Sequence, residues 1–358
     1  MPVRAGLIGF GLAGQAFHAP LIAAEPRLAL AAIVTSRADE VHARFPDAAV
    51  VAEADALIAD PDIDLVVIAA PNALHAPLAR AALEAGKHVV VDKPFVTDPA
   101  DADALIALAK AQRRMLAVFH NRRWDGDFLT VERLVRERAL GDILLAEMHW
   151  DRFRPALKPG WREVPGEGAG LLADLGPHLV DQALRLWGPP ETVTSDIAVQ
   201  RADAAVDDYF ALTFGCGRMR VLLSASTLIA DPRPRFALHG TRGSFVKYGI
   251  DPQEAALRAG GAPDAPGFGE EPPEAWGRLT PGDAPARPVP TARGDWRRFY
   301  AGVADAILDG APPPVAPEEA LAGLQLIELA RRSAREGRVL RLEGQGGLSP
   351  SPLPPASP

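Results

Sequence analysis

Residues 4–22 read RAGLIGFGLAGQAFHAPLI, with three glycines in six positions directly after a short apolar run. The spacing is Gly9-x-Gly11-x-x-Gly14, between a stretch of strand character, Val3–Ile8, and one of helix character, Gln15–Ala24. In that context each glycine has a mechanical reading. Gly9 permits a tight turn, Gly11 lets a pyrophosphate approach the backbone, and Gly14 lets helix and strand pack closely. Alone, the pattern also fits an ordinary strand–helix turn, so the rest of the chain has to decide.

Outward from this loop the chain alternates strand and helix patterns. Strand-like runs at Leu28–Thr35, Val50–Val51, Asp64–Ala70, HVVVDKPF (88–95) and MLAVFHN (115–121) are separated by helical stretches at 38–45, 54–60, 75–87 and 101–114. Such alternation predicts an α/β, doubly wound parallel sheet, a Rossmann fold, over residues 1–121. Ligands bind such sheets at the carboxyl ends of the strands. Those ends hold Gly9–Gly14, Ser36-Arg37, Pro71-Asn72, Asp92-Lys93-Pro94 and His120–Arg123. From residue 122 the pattern changes. A helix at Phe128–Glu137, a strand at 142–154, a Gly/Pro-rich loop at Pro155–Gly170 and a helix at Leu171–Trp187 precede five consecutive strand-like runs. Strands without intervening helices predict an α+β domain, 122–343, with a large, mostly antiparallel, open-faced sheet. Residues 259–294 read as a long excursion loop, two helices and a short strand follow, and 344–358 read as a disordered tail.

The bulk numbers bound the function. With 358 residues, 48% hydrophobic and 23% charged, the chain is an ordinary globular protein of two-domain size. A net charge of −8 leaves no basic surplus for nucleic acid. No apolar run reaches the roughly 20 residues of a membrane span, and the glycines interrupt the one N-terminal run resembling a signal peptide. The single cysteine, Cys216, allows no intrachain disulfide, and a cytoplasmic location is expected. The eight histidines form no metal-ligand spacing, so no metal is expected.

Four features carry chemistry. After the second strand, Ser36 and Arg37 stand where an NAD-binding unit usually has an acid for the ribose 2′-OH, while Asp39 and Glu40 come later. A surface arginine would look the same, but the turn suits a 2′-phosphate and favours NADP(H) over NAD(H). Lys93 ends a buried strand, in a chain with only five lysines. Its ammonium either hydrogen-bonds a substrate oxygen or is simply solvated; Pro94 after it could form a cis bond. In GEGAGLLADLGPHLVDQALRLWG (166–188), Asp174 and His178 lie at i and i+4 on a helix starting near Leu171, with Pro177 near the first turn. They read as a general base with its carboxylate partner, or as part of a wet polar stripe with Asp181, Gln182 and Arg185. Finally, His120, Asn121, Arg122, Arg123 and Trp124 crowd the exit of the last parallel strand, suiting a hydroxylated substrate or a packing hinge.

Taken together, these residues resemble the glucose–fructose oxidoreductase/inositol dehydrogenase/rhizopine catabolism (Gfo/Idh/MocA) family over about residues 3–343. The resemblance rests on the glycine loop, APNALH (70–75), ALEAGKHVVVDKP (82–94) and GAGLLADLGPHLVDQAL (168–184). GFGLAGQAFHAPLI and NRRWDGDFLTV are similar to the scyllo-inositol dehydrogenase-like branch. The resemblance implies an oxidoreductase acting on CH–OH groups, passing hydride between NADP (favoured) or NAD and a cyclic polyol or sugar. It implies catalytic Lys93, Asp174 and His178, and a homodimer or homotetramer built on the open sheet. The implied cofactor residues are Gly9, Phe10, Gly11, Leu12, Ala13, Gly14, Ser36, Arg37, Ala70, Pro71, Asn72, His75, Asp92 and Lys93, with Trp161 and Arg162. His120–Trp124 and Tyr300 are implied on the substrate side. Asp92 departs from the family's usual Glu, and His120 from the branch's frequent Gln. Two other readings stay open: a reductase of another sugar aldehyde or ketone, and a non-catalytic dinucleotide-binding sugar sensor. The retained Lys93, Asp174 and His178 favour the enzyme.

Overall fold

Apart from Arg4, Val3–Ile8 is buried along its whole length, as a strand covered on both faces must be. It forms β1 of a six-stranded sheet with β2 (Leu28–Val34), β3 (Ala49–Val51), β4 (Leu65–Ile68), β5 (His88–Val91) and β6 (Leu116–Val118). The order is β3-β2-β1-β4-β5-β6, and every pairing is parallel. The strand order reverses beside β1, so the crevice at the β1 and β4 carboxyl ends is the switch point of a doubly wound sheet. The computed structural model describes residues 1–157, 160, 163–166 and 168–342.

The second sheet has nine strands: β7 (Ile143–Asp151), β8 (Thr192–Ala198), β9 (Tyr209–Cys216), β10 (Met219–Ser226), β11 (Phe236–Gly240), β12 (Gly243–Lys247), β13 (Gly277–Pro281), β14 (Arg287–Val289) and β15 (Leu340–Arg341). They run in the order β14-β13-β12-β11-β7-β10-β9-β8-β15, antiparallel except where β7 lies parallel to β10. One face is apolar by alternation. Ala146, Met148 and Trp150 of β7, Phe210, Leu212 and Phe214 of β9, and Val221, Leu223 and Ala225 of β10 share a core with Leu175, Leu179 and Ala183 of the helix Leu171–Trp187.

Three expectations need correcting. Residues 259–294 are not wholly an excursion loop, because β13 and β14 extend the sheet within them, and a helix, Gln253–Arg258, precedes them. Pro177 lies inside its helix rather than near the first turn, and the polar stripe beside it is only partly wet: His178, Asp181 and Gln182 are buried, while Asp174 and Arg185 are partly exposed.

The chain forms two compact units. One comprises residues 1–124, 252–269 and 295–322, and the other 125–251, 270–294 and 323 onward. Among the described residues no helix is long and apolar enough to cross a membrane, and no cluster of His, Cys, Asp and Glu is placed to hold a metal.

Candidate active site

In the first unit, the carboxyl ends of β1, β2, β4, β5 and β6 carry the predicted loop residues. Gly9 has φ of +99°, and a Cβ there would come within 2.5 Å of the Ala69 carbonyl oxygen. A Cβ on Gly14 would lie 2.0 Å from the Gly9 oxygen, so the helix start is pressed against the turn. A Cβ on Gly11 would meet nothing within 4 Å, and Gly11 and Leu12 are exposed. Two glycines thus serve the fold, and the third faces open space at a helix start, where an anionic group is favoured.

At the end of β2, Ser36 is exposed and the Arg37 guanidinium lies 5.3 Å from the centre of the Phe10 ring. Phe10 does not line the loop as expected; it is buried, edge-on to Phe45, as the platform under Arg37. Arg37 donates to Glu40 at 3.2 Å, and Glu40 also accepts from Gln15 at 3.1 Å. Ala70 and Pro71 follow β4. His75 is buried, with its ring nitrogens facing the carbonyl oxygens of Pro94 (2.8 Å) and Ala70 (3.0 Å). It therefore ties the β4 and β5 turns together instead of facing a ligand.

Lys93 follows β5 and precedes a cis peptide bond to Pro94. Its N–H donates to Asp92 Oδ1 at 2.8 Å. Burial raises the Asp92 carboxyl, but His18, Lys93 and His75 together outweigh it and hold the group below the usual carboxylate range. Past β6, His120 and Asn121 are buried, and Trp124 is half-buried. Arg122 and Arg123, expected on the substrate side, are buried in ion pairs. Arg122 stacks on Trp296 and bonds Glu254, and Arg123 donates to Glu319 at 2.9 Å. Their charge fastens two sequence-distant segments to this strand end. Tyr300, expected in the same cleft, is also fully enclosed, its hydroxyl 2.6 Å from His18 Nδ1.

In the second unit, the helix Leu171–Trp187 starts against Asp207. The main-chain oxygen of Asp207 accepts from Leu171 (2.8 Å), and its carboxylate accepts from Leu172 (2.7 Å). Gly170, with φ of +91°, precedes the helix, and a Cβ there would collide with Asp207 Oδ1 at 2.1 Å. Burial lifts the Asp207 carboxyl against the opposing Leu172 N–H. In the first turn Asp174 is paired with Arg152, Oδ2 to Nη1 3.3 Å. One turn on, the buried His178 ring lies against Trp150, with centroids 5.7 Å apart. Behind Trp150 is Arg235, 4.9 Å from that ring, donating to Gln182 Oε1 at 2.6 Å. Arg152, Trp150, Arg235 and Asp207 escaped the sequence reading. Trp150 is the penultimate residue of β7 and Arg152 follows its end, so only the tertiary pairing of that strand end with the helix brings them to the site. Trp161 and Arg162 lie outside the described residues.

These residues fit a nicotinamide dinucleotide: an open glycine loop for the pyrophosphate, a cation beyond β2, and a lysine beyond β5. A doubly wound parallel sheet with this loop defines a dinucleotide-binding Rossmann protein. The chain belongs to the Gfo/Idh/MocA oxidoreductase family. Residues 3–120 match that family's NAD-binding Rossmann fold, and 132–342 its C-terminal alpha/beta domain. It is similar to scyllo-inositol 2-dehydrogenase (NADP(+)) IolW of Bacillus subtilis (strain 168), 39% identical over 95% of this chain and 96% of that protein. It is 44% identical to the uncharacterised oxidoreductase YdgJ of Escherichia coli (strain K12), over 95% of this chain and 99% of the other. The solved structure of yvaA from Bacillus subtilis superimposes with a TM-score of 0.93 at 39% identity, covering 95% of this chain and 98% of that one.

Proposed function

We propose that the protein is an NADP(H)-preferring dehydrogenase that reversibly oxidises one ring hydroxyl of a cyclic polyol or sugar to a ketone. The observation that carries this reading is the Asp174–His178 pair. A carboxylate and an imidazole stand one turn apart in the first half of one helix, the first in an ion pair with Arg152 and the second packed on Trp150. Similarity to a dehydrogenase of scyllo-inositol that uses NADP(+) supports both the substrate class and the cofactor.

In this proposal residues 1–121 hold the dinucleotide, with Gly9–Gly14 at the pyrophosphate and Ser36 and Arg37 at the 2′-phosphate, and 122–343 supply the polyol side. When bound, the dinucleotide supplies a hydride acceptor at nicotinamide C4. Loss of hydride from carbon requires the hydroxyl proton to leave, and His178 is assigned as the base. An imidazole titrates near neutral pH, whereas a lysine would need a large downward shift. Lys93 is assigned to hydrogen-bond a substrate oxygen and stabilise its developing charge. Asp174 holds a neighbouring hydroxyl or the imidazolium. His120, Asn121 and Trp124 are proposed to meet the rest of the substrate.

The test is steady-state kinetics with inositol isomers and aldoses, alongside dinucleotide binding. His178→Ala and Lys93→Ala should each lower kcat at least about a hundredfold with dinucleotide affinity retained. Parental kcat in both variants would reject the assignment. A rise in KM alone for His178→Ala would make His178 an anchor and Lys93 the base.

A further inference from the structure

Behind the Asp92–Lys93 turn lies a buried histidine that the roles above do not use. The helix after the glycine loop opens with a π-wound turn, Gly14–His18, and His18 at its end is fully buried. Its ring lies 4.2 Å from Phe119, centroid to centroid, and its Nδ1 is 2.6 Å from the Tyr300 hydroxyl. The Nε2 atom is buried with no hydrogen-bond partner among the described residues, and it faces Asp92 Oδ1 at 3.7 Å.

We propose that His18, set by Tyr300, is a positioning residue whose Nε2–H is the standing donor toward the Asp92 carboxylate. The argument turns on which ring nitrogen carries the proton, and the hydrogen bond at the other nitrogen decides that. Burial pushes the Tyr300 phenol well above its ordinary value, so it keeps its proton. If the hydroxyl donates to Nδ1, a neutral ring has its one proton on Nε2. If the ring is charged, both nitrogens carry protons and the hydroxyl accepts. Either way a hydrogen points at Asp92. The opposite tautomer would aim a lone pair at a carboxylate across a contact buried on the His18 side, where that repulsion is poorly screened.

At 3.7 Å the contact is an N–H dipole or cation facing an anion rather than a formed hydrogen bond. Asp92 Oδ1 also accepts the Lys93 N–H, so anchoring this carboxylate anchors the start of the lysine. Tyr300 and His18 thereby act on Lys93 through Asp92 without touching substrate. The functional consequence rests on the reading of Lys93 as the partner of the substrate oxygen; the proton placement does not.

Long-range ¹H–¹⁵N correlation spectra of the dinucleotide-free protein read the tautomer directly. The His18 ring should carry its proton on Nε2, or on both nitrogens. Tyr300→Phe, which removes one atom, should admit the Nδ1–H form and lower kcat about tenfold with polyol KM and Tm little changed, since small displacements at a reacting group cost rate. His18→Gln, which keeps an N–H, should retain more kcat than His18→Leu. An Nδ1–H ring in the parent, a parental kcat in Tyr300→Phe, or equal kcat in the Gln and Leu variants would each overturn the proposal. Parental kcat in Lys93→Ala would instead overturn the functional reading and leave the tautomer result standing.

Discussion

Arg37 already has two partners, and the strength of each decides whether it can serve a 2′-phosphate. Its pair with Glu40 joins two half-exposed side chains, and such pairs contribute only about 0–1 kcal/mol. The Phe10 platform is compatible with a ligand, because it holds the guanidinium plane without occupying its donors. A phosphate carrying up to two charges therefore displaces Glu40 readily. Arg37→Asp is expected to reverse the preference toward NAD(H), and Glu40→Gln to sharpen it toward NADP(H). The readout is kcat/KM with each cofactor, and equal values in the parent would defeat the argument. At this scale the sequence reveals what a side chain can do but not what already engages it. Arg122 and Arg123 have the chemistry of sugar-binding residues, yet their carboxylate partners stand 132 and 196 residues away. Tyr300 was likewise legible as a hydroxyl, but not as one consumed by His18, 282 residues distant.

Within the nine-stranded sheet, β7 carries a proton-sensitive element. His149 is buried, its Nδ1 2.8 Å from the Ser224 hydroxyl of β10, and burial with Arg233 nearby lowers it to about 4. An unfolded chain binds that proton near pH 6.5, so between about 6.5 and 4 the unfolded state holds more protons than the native state. Stability is therefore complete above pH 6.5 and falls as the pH drops, by on the order of 2–3 kcal/mol for this residue. His88, the first residue of β5, lowered to about 4 by burial and Arg114, adds a loss of the same sign. Urea unfolding at pH 7 and pH 4.5 should show the drop, and His149→Gln should shrink it; an unchanged difference in the variant would remove His149 from the account. The long periodic elements were legible because burial writes a pattern. The expected and observed bounds agree for β1 and for Leu171–Trp187. Strands β13 and β14 were not legible. They are short, and Pro288 sits inside β14 at the sheet edge, where its missing N–H costs no ladder bond. Of the candidate site, the glycine loop and the Asp174–His178 spacing were local patterns and readable. The clamp on Gly170 by Asp207 depends on tertiary contact and was not.

For the molecule as a whole, the second sheet has a face whose cover its own helices do not provide. On the parity opposite the core, Leu145, Ala211, Thr213, Leu222 and Val246 remain partly exposed, while His149 and Ser224 are buried. A sheet this wide with apolar residues on its second face favours association with another copy. Light scattering at micromolar concentration is expected to give a dimer or tetramer, and Leu222→Arg to shift it toward monomer; a monomeric parent would refute this. The one parallel pairing in that sheet has a consequence of another kind. Strand β7 lies between β11 and β10, and its contact with β10 joins residues 75 positions apart. During synthesis β7 therefore emerges long before either neighbour, with Met148 and Trp150 still lacking the strands that flank them in the finished sheet. The ribosome must release the chain past Gly240 before the centre of this sheet can close, so the second unit assembles late and around its middle. Its slow step is expected to be the closure of a long loop, which would make the half-made chain, more than the finished protein, the form most exposed to aggregation.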